Sequence, residues 1–244
     1  MLRTLAISAL AAFSVLRAAA QSRPTVVVEL FTSEGCSSCP PADNLLARLP
    51  RMFSDFEVIP LSEHVDYWNN LGWQDRFSAP LFSMRQQDYG RMFHLDSVYT
   101  PEMVVNGMAQ FSGSDAQRAQ QEISKAASEP RASTSIASNG NAVHLHAEKF
   151  PQGTRNVDVF LAITESNLVT DVKAGENEGH RLRHIGVVRS LSSIGHFDVR
   201  KGGIYNADAK LTLDPDWRVD NLKLVMLVQD RSNRRIIGAS TLRP

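Results

Sequence analysis

The stretch that most constrains the fold is Thr25–Leu49, TVVVELFTSEGCSSCPPADNLLARL. Val26, Val27, Val28, Leu30 and Phe31 form a β-branched and aromatic run of the kind buried on both faces of a sheet. Thr32-Ser33-Glu34-Gly35 ends that run, and from Pro40 on Leu45, Leu46 and Leu49 recur at helical spacing. Pro40 and Pro41 are tolerated only in the first turn of a helix. Cys36 and Cys39, the two cysteines of the chain, are therefore delivered to a helix N-terminus. Free amides and the helix dipole there favour a thiolate over a thiol, and a spacing of three lets the second sulfur reach the first. Thiol–disulfide exchange needs one attacking and one resolving sulfur. Cys36, expected to be the more exposed, attacks, and Cys39 resolves. A static disulfide gains little from closing so short a loop, and half of a zinc site lacks a second Cys-x-x-Cys to complete it.

Residues 1–20 read as a secretory signal. Arg3 opens a short basic region, Leu5 to Leu16 is an apolar run, and Ala18-Ala19-Ala20 supplies a small-residue cleavage site. The run is too short to span a bilayer, and no later stretch is apolar enough to do so. The expected product is a soluble, exported protein, periplasmic or secreted, in a compartment where disulfides persist. Cleavage removes two of the 26 basic residues and none of the 26 acidic ones. That balance makes no electrostatic case for nucleic acid or an anionic membrane as partner. A polar, proline-bearing stretch, Ser128 to Ser138, separates differently patterned halves and sets the expected boundary: a first domain over residues 21–130 and a second over 131–244.

In the first half, Phe56 to Leu61 reads as a second strand, Pro80 opens a helix to about Phe93, and Met103–Val105 and Met108–Phe111 are strands joined by an Asn106-Gly107 hairpin turn. Ser114-Asp115 caps a last helix to about Ala127. A strand–helix–strand unit with an added hairpin makes a four-stranded mixed sheet covered by helices, which resembles the thioredoxin fold. The resemblance implies that Pro101, after Thr100 and just before the hairpin, is a cis-proline facing the disulfide, leaving neighbouring backbone free to pair with an incoming peptide. It also implies that Glu29, a carboxyl in an apolar strand, acts as a buried proton relay to Cys39. Glu29 precedes Cys36 by seven residues, where thioredoxin's acid precedes its first cysteine by six.

Ser62 to Phe77 is dense in functional side chains. Strand ends on one edge of an open α/β sheet gather at one crevice, so His64 is expected near the cysteines as an imidazolium beside the Cys36 thiolate. Asp66, Trp68 and Trp73 are expected to line a substrate groove. Alternatively, Cys36, Cys39 and His64 form a soft metal set for copper or zinc. The runs FTSEGCSSCPPAD, HVDYWNNLGWQDRF, YTPEMVVNG and GENEGHRLRHIGVVRSL resemble a family of exported, thioredoxin-like bacterial proteins catalogued as a domain of unknown function, DUF1223. The resemblance implies a thioredoxin-like fold with a β-rich tail and supplies no reaction, so function must come from the site.

The second half alternates in short runs: Ala142–Ala147, Val157–Thr164, Leu168–Val172, Ile204–Leu213, Leu222–Gln229 and Arg235–Ala239, with Val187–Ile194 ambiguous between helix and strand. Such spacing predicts an all-β, immunoglobulin-like sandwich. His144 and His146 share a face, read as solvated. Gly175 to His184 reads as a loop, and Arg181, Arg183 and His184 as a solvated rim, the other reading being a clasp on a carboxylate of a partner or of the first domain's crevice. The chain is thus expected to be an α/β thioredoxin-like domain followed by a β-sandwich. The expected function is thiol–disulfide exchange on exported protein thiols with a further redox partner, using no cofactor beyond a Cys36–Cys39 disulfide. The other readings are a periplasmic metal-delivery protein and a non-catalytic binding module with a structural disulfide.

Overall fold

A computed structural model describes residues 23–244; the expected signal segment lies outside them. The apolar run becomes β1 (Thr25–Thr32), and α1 (Pro40–Met52) leads to β2 (Glu57–His64). β2 runs parallel to β1, with Thr25 opposite Glu57 and Thr32 opposite His64. α2 (Pro80–Met92) precedes β3 (Glu102–Val105), which pairs antiparallel with the other edge of β1 and turns at Asn106-Gly107 into β4 (Ala109–Ser112). α3 (Ala116–Ala127) follows, its N-cap Asp115 accepting from the Arg118 amide.

Strand alternation sorts the side chains of β1 between two faces. Val26, Val28 and Leu30 pack with Ala42, Leu45, Leu46 and Leu49 of α1 and Ile123 of α3. Val27 and Phe31 turn the other way, toward Phe82 and Tyr89 of α2. Residues Val26 to Phe31 are completely buried, as a central strand covered on both sides requires.

The second half contributes β5 (Ser133–Asn139), β6 (Ala142–Glu148), β7 (Asn156–Glu165), β8 (Leu168–Asp171), β9 (Arg181–His184), β10 (Val187–Asp198), the short α4 (Val199–Gly202), β11 (Ile204–Lys210), β12 (Leu222–Asp230) and β13 (Ile236–Leu242). Four of these extend the first-half sheet into one of eight strands, ordered β13-β12-β7-β10-β2-β1-β3-β4. The join is parallel, with Val187 opposite Ser62 and the Ser62 amide donating to the Gly186 carbonyl at 2.8 Å. Gly186 has φ 59°, and a Cβ there would lie 2.5 Å from the Pro60 carbonyl oxygen, so the seam closes only around glycine. A second sheet, β11-β6-β5, lies over the β7–β12 face, with Val143, Leu145 and Tyr205 against Val159, Leu224 and Met226. The architecture is mixed α/β. Sheet hydrogen bonding runs between residues on either side of Pro130.

Three segments depart from expectation. β5 occupies what reads as a polar linker; it is an edge strand with most side chains exposed and needs no apolar run. β9 replaces the end of an expected loop, and four residues are too few to show a period. β10 settles the ambiguous segment as the longest strand among those described. Register shifts between Val188 and Ser190 and between Ser193 and Gly195 break the two-residue alternation that would mark it in sequence.

Candidate active site at the Cys36–Cys39 disulfide

Cys36 and Cys39 form a disulfide with Cα atoms 5.4 Å apart. Cys39 is the N-cap of α1, its carbonyl accepting from the Ala42 and Asp43 amides at 2.9 and 3.1 Å. The expected exposure of Cys36 is corrected: both cysteines have no accessible surface, while Ser37 and Ser38 between them are exposed. The cover comes from the connection between β8 and β9, 140 residues further along the chain. There the Asn177 side-chain amide donates to the carbonyls of Glu34 and Cys36, both at 2.9 Å. Glu176 accepts from the Ser37 amide at 3.1 Å. The same connection touches the 65–79 segment where Gly72 (φ 98°) meets Gly175 (φ 77°); a Cβ on Gly72 would lie 3.3 Å from the Gly175 Cα.

Beneath the disulfide lies a buried polar cluster centred on Glu34. Its carboxylate accepts from Trp73 Nε1 at 2.9 Å and pairs with His184 Nε2 at 3.1 Å, and its amide donates to Asp75 Oδ2 at 2.8 Å. Asp75 Oδ2 also meets His64 Nδ1 at 2.6 Å. The rings of His64, Phe77 and His184 contact one another edge to face. Burial alone would raise the Glu34 carboxyl, but hydrogen bonds led by His184, with Trp73, outweigh it and hold the group below its ordinary range. Asp75 is lowered in the same way, burial being overcome by His64. Burial would lower His64, but the charge and hydrogen bond of Asp75 raise it. Asp43, in the first turn of α1, is half-buried with Oδ1 turned inward, and that desolvation pushes its carboxyl up against partial relief from the His184 and His64 imidazoles. His64 Nε2, His184 Nδ1, Asp43 Oδ1 and Thr32 Oγ1 have no hydrogen-bond partner among the described residues. This cluster can therefore take up or release protons within the first turn after Cys39.

The other expected residues divide. Trp68 stands against Gly35 and donates from Nε1 to Thr100 Oγ1 at 2.8 Å. The Thr100–Pro101 bond is cis, and Gly113 sits against Leu30, Ala42 and Pro101 at once, which places Pro101 beside the first turn of α1. Two assignments are corrected. Glu29 does not point at Cys39: alternation along β1 turns it to the α2 face, where it accepts from Arg85 Nε at 2.6 Å and the Tyr89 hydroxyl at 2.7 Å. Asp66 lines no groove; its amide and carboxylate are bound by the Ser83 hydroxyl of α2. The alternative metal set is not assembled, because both sulfurs are spent in the disulfide. Among the described residues no three His, Cys, Asp or Glu groups converge on an ion position. His184 is no rim residue but buried against Glu34, whereas Arg181 and Arg183 are exposed. His144 and His146 are exposed on the second sheet, bonded to Asp208 and Asn206. Glu34, Asp43, Asp75 and Asn177 escape sequence reasoning, and His184 takes the second course open to it, clasping a carboxylate of the first half. Only Glu34, two residues before Cys36, carried a local signal.

Among the described residues no helix is long and apolar enough to cross a membrane. No curated protein matches the chain. Among solved structures, protein AGR_C_4864 from Agrobacterium tumefaciens is similar at 28% identity and a TM-score of 0.69, covering 89% of this chain and 93% of that one. HBP35 of Porphyromonas gingivalis is similar in fold, at 15% identity and a TM-score of 0.63 over 91% of this chain and 76% of its own. A family model spans residues 27–229, and the chain belongs to the family it describes, Protein of unknown function (DUF1223).

Proposed function

We propose that the protein is an exported thiol–disulfide oxidoreductase acting on protein thiols, built as a thioredoxin-like α/β unit joined to an immunoglobulin-like β-sandwich. The strand–helix–strand and hairpin order of β1 to β4 supports the first description, and the packing of β11-β6-β5 over β7 and β12 supports the second. One observation carries the function: a Cys36–Cys39 disulfide at the head of α1, with the half-buried Asp43 one turn beyond.

In the reducing direction, the Cys36 thiolate attacks a sulfur of a substrate disulfide. That bond breaks, its electron pair leaves on the second substrate sulfur, and a mixed disulfide forms. Cys39 then attacks Cys36 Sγ and releases the first substrate sulfur as a thiolate. Two electrons pass to the substrate and the Cys36–Cys39 bond is restored. The proton lost by Cys39 passes to Asp43 and on to the departing thiolate, the task expected of Glu29. The opposite direction is the same sequence reversed. The dipole of α1 favours the Cys36 anion, and Trp68, Thr100 and Pro101 flank the substrate backbone.

The test is capture in the native compartment. Cys39→Ser is expected to accumulate mixed disulfides with exported proteins, and Cys36→Ser to abolish them. A Cys39→Ser variant that traps nothing and whose Cys36 titrates as an ordinary thiol overturns the reading. Complete burial of both sulfurs favours a second reading, a disulfide that only holds the 33–39 loop; it predicts a lower melting temperature on reduction and no trapping.

A further inference from the structure

We propose that residues 172–180 form a strap that closes over Cys36 in the oxidised protein and that reduction releases it, because the Cys36 thiolate displaces the Glu176 carboxylate from the Ser37 amide. The inference rests on the oxidoreductase reading and supplies what that reading lacks, a route to a buried sulfur. The strap's closest ties all end on the redox loop itself. Asn177, 3% exposed, uses one side-chain amide to hold the carbonyls of Glu34 and Cys36. Glu176 takes the Ser37 amide, next to Cys36. Every bond is to backbone between residues 34 and 37, so a change at Cys36 is felt by all three.

The strap is built to move as a unit. Its base is β8 and β9, a two-stranded ribbon outside the large sheet, with Asp171, Lys173 and Arg181 exposed. Gly175 and Gly179 bracket the contact residues with φ of 77° and 80°, and nothing lies within 4 Å of where a Gly179 Cβ would be. Toward the first half the strap meets Gly72 and Trp73 through the bare face of Gly175, a contact without side-chain interlocking.

Charge supplies the trigger. In the oxidised protein the Ser37 amide holds one carboxylate, that of Glu176, which the Ser37 hydrogen bonds keep below its ordinary range. A partner dithiol that reaches the Cys36–Cys39 bond during a transient opening of the strap attacks it, is itself oxidised to a disulfide, and delivers two electrons. One sulfur becomes a thiolate and the other takes a proton from the buried cluster. Two anions then crowd one stretch of loop backbone, Cys36 and the Ser37 amide next to it. The thiolate cannot leave and the carboxylate can. Loss of the Ser37–Glu176 bond frees the strap to lift, and Cys36 becomes reachable by a protein substrate. Reoxidation removes the thiolate charge and lets the strap return.

The mature full-length protein tests this by hydrogen exchange in the oxidised state and in a tenfold excess of dithiothreitol over protein, with Cys36 alkylation by iodoacetamide measured alongside. Amides of residues 173–179 are expected to exchange at least tenfold faster after reduction. Glu176→Gln, which keeps an acceptor but no charge, is expected to abolish most of that difference. Asn177→Ala is expected to speed dithiothreitol reduction of the disulfide about tenfold. Equal protection of residues 173–179 in both redox states of the wild type, or a redox response in Glu176→Gln as large as in the wild type, overturns the strap. Trapping by Cys39→Ser, scored separately, reports on the oxidoreductase reading whether or not the strap moves.

Discussion

The two faces of β1 carry two buried polar clusters of similar size and opposite chemistry. On the α2 face, Glu29 is locked to Arg85 and Tyr89, Gln229 donates to the Tyr89 hydroxyl at 3.0 Å, and Glu63 lies 3.6 Å from Arg85. On the α1 face, Thr32, His64, Asp75, Glu34, His184 and Asp43 gather under the disulfide. Burial does not tell them apart, since every member of both but the half-buried Asp43 is enclosed. The cation does. Arg85, raised further by Glu29 although burial alone would lower it, never releases its proton, so the Glu29–Arg85–Tyr89 lock is a fixed brace, while Glu63 beside it is pushed well up by burial and the Glu29 charge. The other face is built on imidazoles instead, His64 paired with Asp75 and His184 with Glu34, and it alone of the two stands beside the cysteines. A buried charge by itself marks no site. A buried group that can titrate, with free hydrogen-bonding capacity next to a reactive bond, does.

The largest expected effect breaks the brace. Arg85→Met leaves Glu29 buried without its cation and is expected to cost about 3–5 kcal/mol in urea denaturation, with much of the loss recovered by adding Glu29→Gln. A change below 1 kcal/mol would show that the α2 face is no lock.

The next effect comes from Glu102, opposite Phe31 and so also on the α2 side. Burial pushes its carboxyl up to about 7, despite a hydrogen bond from Gln86. A raised carboxyl contributes fully below its unfolded value near 4.3 and withdraws stability as pH climbs to the folded value. The wild type should therefore lose up to about 3 kcal/mol from this group between roughly pH 4 and 7. Glu102→Gln, which still accepts from Gln86, is expected to remove that part of the slope in denaturation curves across the range.

The smallest effect sharpens the other side. His64 is raised and Asp75 lowered in the folded state. The histidine contribution is complete below about pH 6.5 and fades as pH rises through the folded value; that of Asp75 is present above about pH 3.9 and lost on acidification. Their pair thus stabilises most between these limits. His64→Asn is expected to lower stability there by about 1 kcal/mol and to make the alkaline decline in melting temperature shallower, with Cys36 alkylation in the reduced protein altered as well. An unchanged alkaline slope would place His64 outside the titrating group.

Legibility followed the range of the interaction. The Cys-x-x-Cys at a helix head, the Asn106-Gly107 hairpin and the Asp115 cap depend on residues within a few positions of each other, and all three formed as read. Glu29 was recognised as a buried acid but aimed at the wrong face; a count of residues from Cys36 cannot say which side of a twisted strand a side chain takes when the loop length differs. The same alternation separates adjacent Glu63 and His64, one to each cluster. β10 was hidden because its bulges erase the period that betrays a strand.

What the chain alone determined is therefore local: where strands and helices start, which turn can close a hairpin, and that two sulfurs meet at a helix N-terminus. Tertiary structure decided what surrounds those sulfurs. Asn177 reaches Cys36 and His184 reaches Glu34 across more than 140 residues, because β10 docks on β2 and carries its neighbouring ribbon over the disulfide. Such closure is bought with sheet hydrogen bonds and packed apolar surface far from the site, and no short sequence pattern encodes it.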